Sequence, residues 1–201
     1  MNNNIDGKET EVGSHLWITS DHHFLHSNIA KYCNRPENFN KILVNNWNSL
    51  VHDNDIVLHL GDFSAGVGSY PNGYKTLKII SASLKGTRFL IRGNHDHKPV
   101  NYFTDELWFS EVYQHFIIDE YFFSHYPLFV FPKDSKKIQN KKKHLLSVFK
   151  KEKCRYVIHG HTHAPHPNLP NHFNVCVDLH GYSPVLFSDI KKYFHQNKEI
   201  S

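Results

Sequence analysis

This sequence predicts a mixed α/β fold of layered sheets and helices, on three observations. Short apolar runs of strand length alternate with stretches whose apolar residues recur at helical spacing. Strand after strand closes on a cluster of Asp, Asn or His, several of them opened by Gly, as in open sheets that gather ligands beyond their carboxyl ends. At 201 residues the chain suits one domain with a sizeable core, residues 1–201, of which 1–14 read as a flexible extension.

Leu16–Thr19 reads as the first strand. A short helix follows over 27–32 and stops ahead of Asn34-Arg35-Pro36, where the proline disfavours further helix. In the next helix Leu43, Trp47, Leu50 and Val51 fall at i, i+4, i+7 and i+8, one apolar stripe, with Asn40 as the expected N-cap. Residues 55–60 read as a buried strand ending at Gly61-Asp62, and a Gly-rich loop over 63–73 leads into a helix carrying Leu77, Ile80 and Leu84. The strand 88–91 ends at Gly93-Asn94-His95-Asp96. Residues 112–118 and 121–124, separated by Asp119-Glu120, read as a hairpin or two adjacent strands that deliver His125. A Lys-rich helix over 141–151, a strand over 155–158 ending at Gly160-His161-Thr162-His163, a strand over 173–177 and a helix around 188–195 complete the order.

Composition excludes several classes. With 39% hydrophobic, 21% charged and 14% aromatic residues the chain is neither disordered nor fibrous. No run approaches the ~20 apolar residues of a membrane helix, and residues 1–14 lack the cationic and apolar regions of a signal peptide, so a cytoplasmic protein without a membrane partner is expected. Cys33, Cys154 and Cys176 are odd in number and far apart, against both a disulfide framework and a thiolate zinc site. The net charge of +4 is modest. The unusual count is eighteen His, and because imidazole is the commonest metal-ligating side chain, their positions carry the information.

Each cluster has a plain alternative. Asp21 and His23, two apart in an extended segment, point to one side and can share an ion while His22 points away, to touch substrate or, as the plainer reading has it, to face solvent. The carboxylate of Asp62 can bridge two cations or serve an ordinary turn. Asn94, His95 and Asp96 offer an amide oxygen, an imidazole and a carboxylate after a glycine that allows close approach, or else form an Asx turn. His161 and His163 can serve two ions ~3.5 to 4 Å apart, or be a surface pair. His125, alone after an apolar strand, reads by itself as a core residue. Arg35 sits in a Pro-anchored loop where its planar fork can clamp a phosphate, or else serve as a cap or a surface ion pair. Asn28 and His26 are weaker candidates for substrate contact. The lysines between 133 and 153 can steer an anion or follow a nucleic-acid backbone, but read first as a solvated helix face whose apolar side is Ile138, Leu145 and Phe149. His97, His159, His166, His172 and His180 belong to no motif.

Taken in chain order, Asp-x-His, Gly-Asp, Gly-Asn-His-Asp, a single His and Gly-His-x-His resemble the signature of the calcineurin-like metallophosphoesterases, from Asp21 to His163. The segments 19–24, 31–36 and 60–63 resemble a small, uncapped bacterial or phage branch of that family. The resemblance implies the metallo-dependent phosphatase fold: a four-layer αββα sandwich of two mixed sheets flanked by helices, with ions at the sheet ends. It implies two divalent ions, manganese, iron or zinc. Asp21, His23, Asp62 and His163 would hold the first and Asp62, Asn94, His125 and His161 the second, with Asp62 the bridge. It further implies a hydrolase of phosphoric esters in which a hydroxide shared by the ions attacks phosphorus in line. His95 would protonate the leaving oxygen, and Asp96 or a nearby carboxylate would orient its ring. After Gly61-Asp62 the chain continues Phe63-Ser64-Ala65, without the acidic and arginine residues found there in protein Ser/Thr phosphatases, which argues against a protein substrate. The expected substrate is a phosphomonoester or phosphodiester of a small nucleotide or cyclic nucleotide. A nuclease acting on DNA or RNA and a non-catalytic protein-binding scaffold on the same fold are the alternatives; loss of ligands would mark the scaffold, and every block is intact here. Oligomeric state is left open by these residues.

Overall fold

Apolar residues at consecutive positions, rather than alternate ones, require that both faces of a strand be covered, and both sheets of this protein meet that requirement. The computed structural model describes residues 15–165 and 171–198. In the first sheet β1 (Leu16–Thr19), β2 (Ile56–His59), β3 (Thr87–Ile91) and β4 (Glu111–Tyr113) run parallel in the order β4-β3-β2-β1, and β9 (Val185–Leu186) pairs antiparallel with β1. The second sheet has the order β5-β6-β7-β8, from β5 (Phe116–Ile118), β6 (Tyr121–Phe123), β7 (Tyr156–His159) and β8 (His172–Asn174). In it, β5 and β6 form an antiparallel hairpin while β6, β7 and β8 are parallel.

The period-2 alternation of the strands assigns their side chains to layers. Ile18, Leu58, Leu60 and Ile91 of the first sheet meet Phe116, Tyr121, Phe123, Tyr156 and Ile158 of the second in a core between the sheets. Their strand neighbours Trp17, Val57 and Leu90 pack with Leu43 and Trp47 of α2 (Phe39–Leu50) and Leu77 of α3 (Gly73–Ser83). Phe122 and Val157 pack with Leu145 of α4 (Lys136–Lys151). Helix, sheet, sheet, helix is therefore the layer order, as the resemblance implied. Phe187, Ile190 and Phe194 of α5 (Phe187–Lys198) complete the core between the sheets. No helix among the described residues is long and apolar enough to cross a membrane.

Several boundaries differ from the sequence reading. Asn40 is not the N-cap of α2, which starts at Phe39; its side-chain Oδ1 instead accepts the Leu25 amide at 3.0 Å and ties the preceding loop to the helix. Residues 112–118 are two strands in different sheets, broken at Gln114-His115, because the apolar run crosses from one layer to the other. The strand expected over 173–177 is β8, which stops at Asn174 and is followed by a 3-10 turn, Val177–Leu179, and by the unexpected short strand β9, while α4 begins five residues earlier than its lysine run suggests, at a Ser135 cap. The extension expected over residues 1–14, and His166, lie outside the described residues.

Candidate metal centre

Parallel strands point their carboxyl ends to one edge, and the chain places its polar blocks there. Asp21 and His23 follow β1, Asp62 follows β2, Asn94 to Asp96 follow β3, His125 follows β6, and His161 and His163 follow β7. Asp21, His23, Asp62 and His161 have φ of 60°, 49°, 56° and 70°. The segment after β1 is thus left-handed at both Asp21 and His23, not extended, and it is this turn that brings the two side chains together. Left-handed backbone at non-glycine residues costs of order 1–3 kcal/mol each and clusters at functional sites. Two glycines let the loops interlock. A Cβ on Gly93 would stand 2.1 Å from Asp62 Oδ1, and one on Gly160 would stand 2.3 Å from Asp21 Oδ2.

Asp62 occupies the middle of the cluster. Its Oδ2 lies 3.6 Å from His23 Nε2 and 3.5 Å from His125 Nε2, while its Oδ1 accepts the His95 amide at 2.8 Å. To one side Asp21 Oδ1 lies 3.9 Å from His23 Nε2 and 3.8 Å from His163 Nε2. To the other, His125 Nε2 lies 3.0 Å from Asn94 Oδ1 and 3.2 Å from His161 Nδ1. Hydrogen-bond partners assign the tautomers: His125 Nδ1 donates to the Leu60 carbonyl at 2.8 Å, and His163 Nδ1 donates to Asp178 Oδ2 at 2.6 Å. Nε2 of both rings then carries a lone pair that faces other electron-rich atoms. Asp21 Oδ1 and both ring nitrogens of His23 are buried without a hydrogen-bond partner. Buried acceptors gathered in this way are costly unless positive charge lies among them.

Electrostatics points the same way. Burial raises the carboxyl of Asp62 well above the usual range, and the charges of Asp21 and Asp96 add to the effect; burial likewise raises Asp21. Three of the imidazoles supply no compensating charge, since burial pushes His23 and His125 well below the ordinary histidine value and His161 down to about 4. Carboxylates, an amide oxygen and neutral imidazoles form the donor set of borderline divalent cations, and a cation's charge is what lets neighbouring buried aspartates ionise together. Asp21, His23 and His163 on one side, and Asp21, Asp62 and His125 on the other, each bring one ligand atom per residue within 4.8 Å of the rest. All seven side chains implied as ligands reach this cluster.

The family model for calcineurin-like phosphoesterases matches residues 14–165. The chain belongs to the calcineurin-like phosphoesterase family. An uncharacterized protein of Methanocaldococcus jannaschii is 31% identical over 197 residues, covering 92% of this chain and 94% of that one. Among solved structures, a protein of unknown function from Aquifex aeolicus superposes with a TM-score of 0.74 at 25% identity, over 90% of this chain and 99% of that one. The nuclease MPE of Pseudomonas putida superposes with a TM-score of 0.44 at 16% identity, over 74% of this chain and 61% of that one.

Around the cluster of this phosphoesterase stand residues that its sequence did not single out. Asp178, in the 3-10 turn after β8, accepts from His163 Nδ1 and from two nitrogens of Arg35, at 2.7 and 2.6 Å. A carboxylate on the far nitrogen of a metal-binding imidazole orients the ring and raises its basicity. Burial opposes the charge of Asp178, yet these hydrogen bonds hold its carboxyl at about 2. The one signal in the sequence was an acid shortly after a strand.

Three site expectations are corrected. Arg35 is not available as a phosphate clamp: it is buried, and its guanidinium donates to Asp178 and to the carbonyls of His22 and Asp21 at 2.7 and 2.8 Å, fixing the first metal block from beneath. His22 does not face solvent. It is fully buried against Phe24 and Trp47, with Nδ1 2.9 Å from His59 Nε2, because the left-handed turn at Asp21 sends the intervening side chain into the core. Asp96 does not orient His95; its two oxygens accept the amides of Asp62, Gly93 and Phe63 at 2.7, 2.9 and 3.2 Å and so lock two metal loops to each other. Asn28 is exposed on α1 (Ser27–Tyr32). The His95 ring packs 5.0 Å from that of His23 and lines a cleft of about 420 Å³ with Ser64, Tyr74, Lys98 and Tyr102.

Proposed function

We propose that this chain hydrolyses a phosphate ester, a monoester or diester of a small nucleotide or cyclic nucleotide, with two divalent ions. The observation that carries this reading is the position of Asp62, whose Oδ2 is shared between His23 Nε2 and His125 Nε2 at 3.6 and 3.5 Å. Asp21, His23, Asp62 and His163 would hold one ion and Asp62, Asn94, His125 and His161 the other, manganese, iron and zinc all suiting such mixed donors. Ions so placed supply charge against the developing phosphoryl oxyanion and an activated water.

The chain's own residues do the positioning. Asp178 holds the Nδ1 proton of His163 and Leu60 that of His125, so that each Nε2 stays an acceptor. His95, anchored through its amide to Asp62 Oδ1, presents its ring at the cleft, where a leaving oxygen can take its proton. Burial first, then the imidazoles of His26, His97 and His163, lower its pKa; a phosphate beside it would raise the value again.

The test is metal analysis of purified protein together with hydrolysis of bis-p-nitrophenyl phosphate, p-nitrophenyl phosphate and a panel of nucleotides and cyclic nucleotides. Two ions per chain and turnover of at least one ester class are expected. Metal-loaded protein that cleaves none of them would overturn the reading. Because Asp62 touches both clusters, Asp62→Asn is expected to lower the content of both ions, not of one.

A further inference from the structure

A second cleft, of about 380 Å³, shares Asp96 and His97 with the His95 cleft, opens beside Asn94 and is lined by Arg92, Lys137 and Lys141. We propose that this cleft binds a second phosphate group of the substrate, one beyond the ester that is cleaved. The inference rests on the phosphoesterase reading and names the substrate class it implies: a molecule with at least two phosphates.

Lys137 and Lys141 lie four apart on α4, so both project from one face. The lysine ion pairs among the described residues involve Lys78, Lys142, Lys151 and Lys192, leaving Lys137 and Lys141 outside them. Lys142, the next residue, points inward instead and is neutralised by Asp134 at 2.8 Å. Arg92 is anchored at the metal turn by donating to the Lys98 carbonyl and by lying 5.5 Å from the Phe103 ring centre. The one acid in the lining, Asp96, is buried with its oxygens committed to backbone amides. Three cations therefore crowd together with no acid free to pair with them; burial, then the charges of Arg92 and Lys137, make it harder for Lys141 to keep its proton, and the buried carboxyls of Asp62 and Asp96 offset this only in part. A dianionic group relieves such crowding.

The cleft also adjoins the centre. Lys141 Nζ sits 5.1 Å above the Tyr126 ring, whose centre is 4.8 Å from both the His125 and His161 rings. The amino end of α4, capped by Ser135, lines the same space and adds the positive end of the helix dipole. A phosphate held here stands next to the ion site of Asn94, His125 and His161, where the adjacent ester of the same molecule is to be cleaved.

Binding of thymidine 3′,5′-bisphosphate and thymidine 5′-monophosphate, measured by calorimetry on the metal-loaded full chain, tests this directly. The bisphosphate is expected to bind at least about tenfold tighter, and the double substitution Lys137→Gln with Lys141→Gln to bring the ratio close to one. The control replaces Lys150 and Lys151 by Gln at the far end of the same helix, roughly 14 to 21 Å away at 1.5 Å per residue; it removes the same charge and should keep the preference. Equal affinities in the native chain, or equal losses in both double variants, would overturn the subsite. A 5′-phosphorylated thymidine decamer that binds tighter still assigns the second phosphate to a strand, and one that gains nothing assigns it to a small molecule; either supports the subsite. The readout is binding, so loss of hydrolysis with the preference intact would sink the esterase reading alone.

Discussion

The chemistry of this protein turns on which atom of each side chain is left free. His163 and His125 are directed by what their Nδ1 atoms meet, Asp178 in one case and the Leu60 carbonyl in the other. Asp178→Asn should therefore weaken the first ion by about 10–100-fold, the usual effect of losing a carboxylate behind a ligating imidazole, with the second ion far less affected; competitive titration with a metal indicator resolves the two. His95 stands differently, since its ring packs on His23 while its amide, not its ring, is committed to Asp62. His95→Ala is expected to keep both ions and lose about 10²–10⁴ in turnover, most for esters with poor leaving groups. An unchanged rate would remove it from the mechanism. The seven candidate ligand positions were legible because their residue types and order are distinctive. Asp178 was not, since a lone aspartate in a short turn carries no pattern, and Arg35 was legible only as a phosphate clamp or a cap or surface ion pair, whereas folding buries it against Asp178.

At the scale of elements, the site depends on loops that touch after their strands end. Gly93 and Asp62 belong to different strand ends, yet a Cβ on Gly93 would meet Asp62 Oδ1 at 2.1 Å. Gly93→Ala should thus displace the Asp62 carboxylate and lower metal content while the sheets remain, which metal analysis beside far-ultraviolet circular dichroism would show. A variant with full metal content would mean that the loops are looser than this packing. Helix α2 was legible from its stripe, as Leu43 and Trp47 are fully buried where the spacing put them. The break between β4 and β5 was not, because an apolar run that changes sheets looks the same as one that continues.

Across the whole molecule, function and stability sit at opposite ends of the first sheet. The carboxyl ends of its parallel strands carry the metal blocks, while at the amino ends Asp55 accepts the His15 amide at 2.8 Å, the Trp17 indole at 3.0 Å and the His52 amide at 2.9 Å, joining β1 to β2. Burial disfavours this charge, but the hydrogen bonds outweigh it and hold the carboxyl at about 2. An unfolded aspartate titrates near ~3.9, so the ionised group stabilises the fold above about pH 4, and that contribution is lost as pH falls through about 2. Native protein should therefore exceed Asp55→Asn in urea midpoint at pH 6, and the gap should narrow steadily toward pH 2. A gap independent of pH would show that packing, not charge, is what Asp55 contributes.

By itself the sequence determined the alternation of strands and helices, the apolar stripes and the five polar blocks, because periodicity and residue type are local properties that survive without coordinates. It also determined the family, through the order of those blocks. What tertiary structure alone decided is how neighbours across the sheets use one another: that Arg35 is spent beneath the metal block, that His22 belongs to the core, that Asp96 staples two loops, and that Lys137 and Lys141 face a cleft beside Asn94 while Lys142 turns inward. The reason is physical. A titratable or hydrogen-bonding group takes its role from partners brought close by folding, and residues such as Arg35 and Asp178, 143 positions apart in the chain, have no local signal that they will meet.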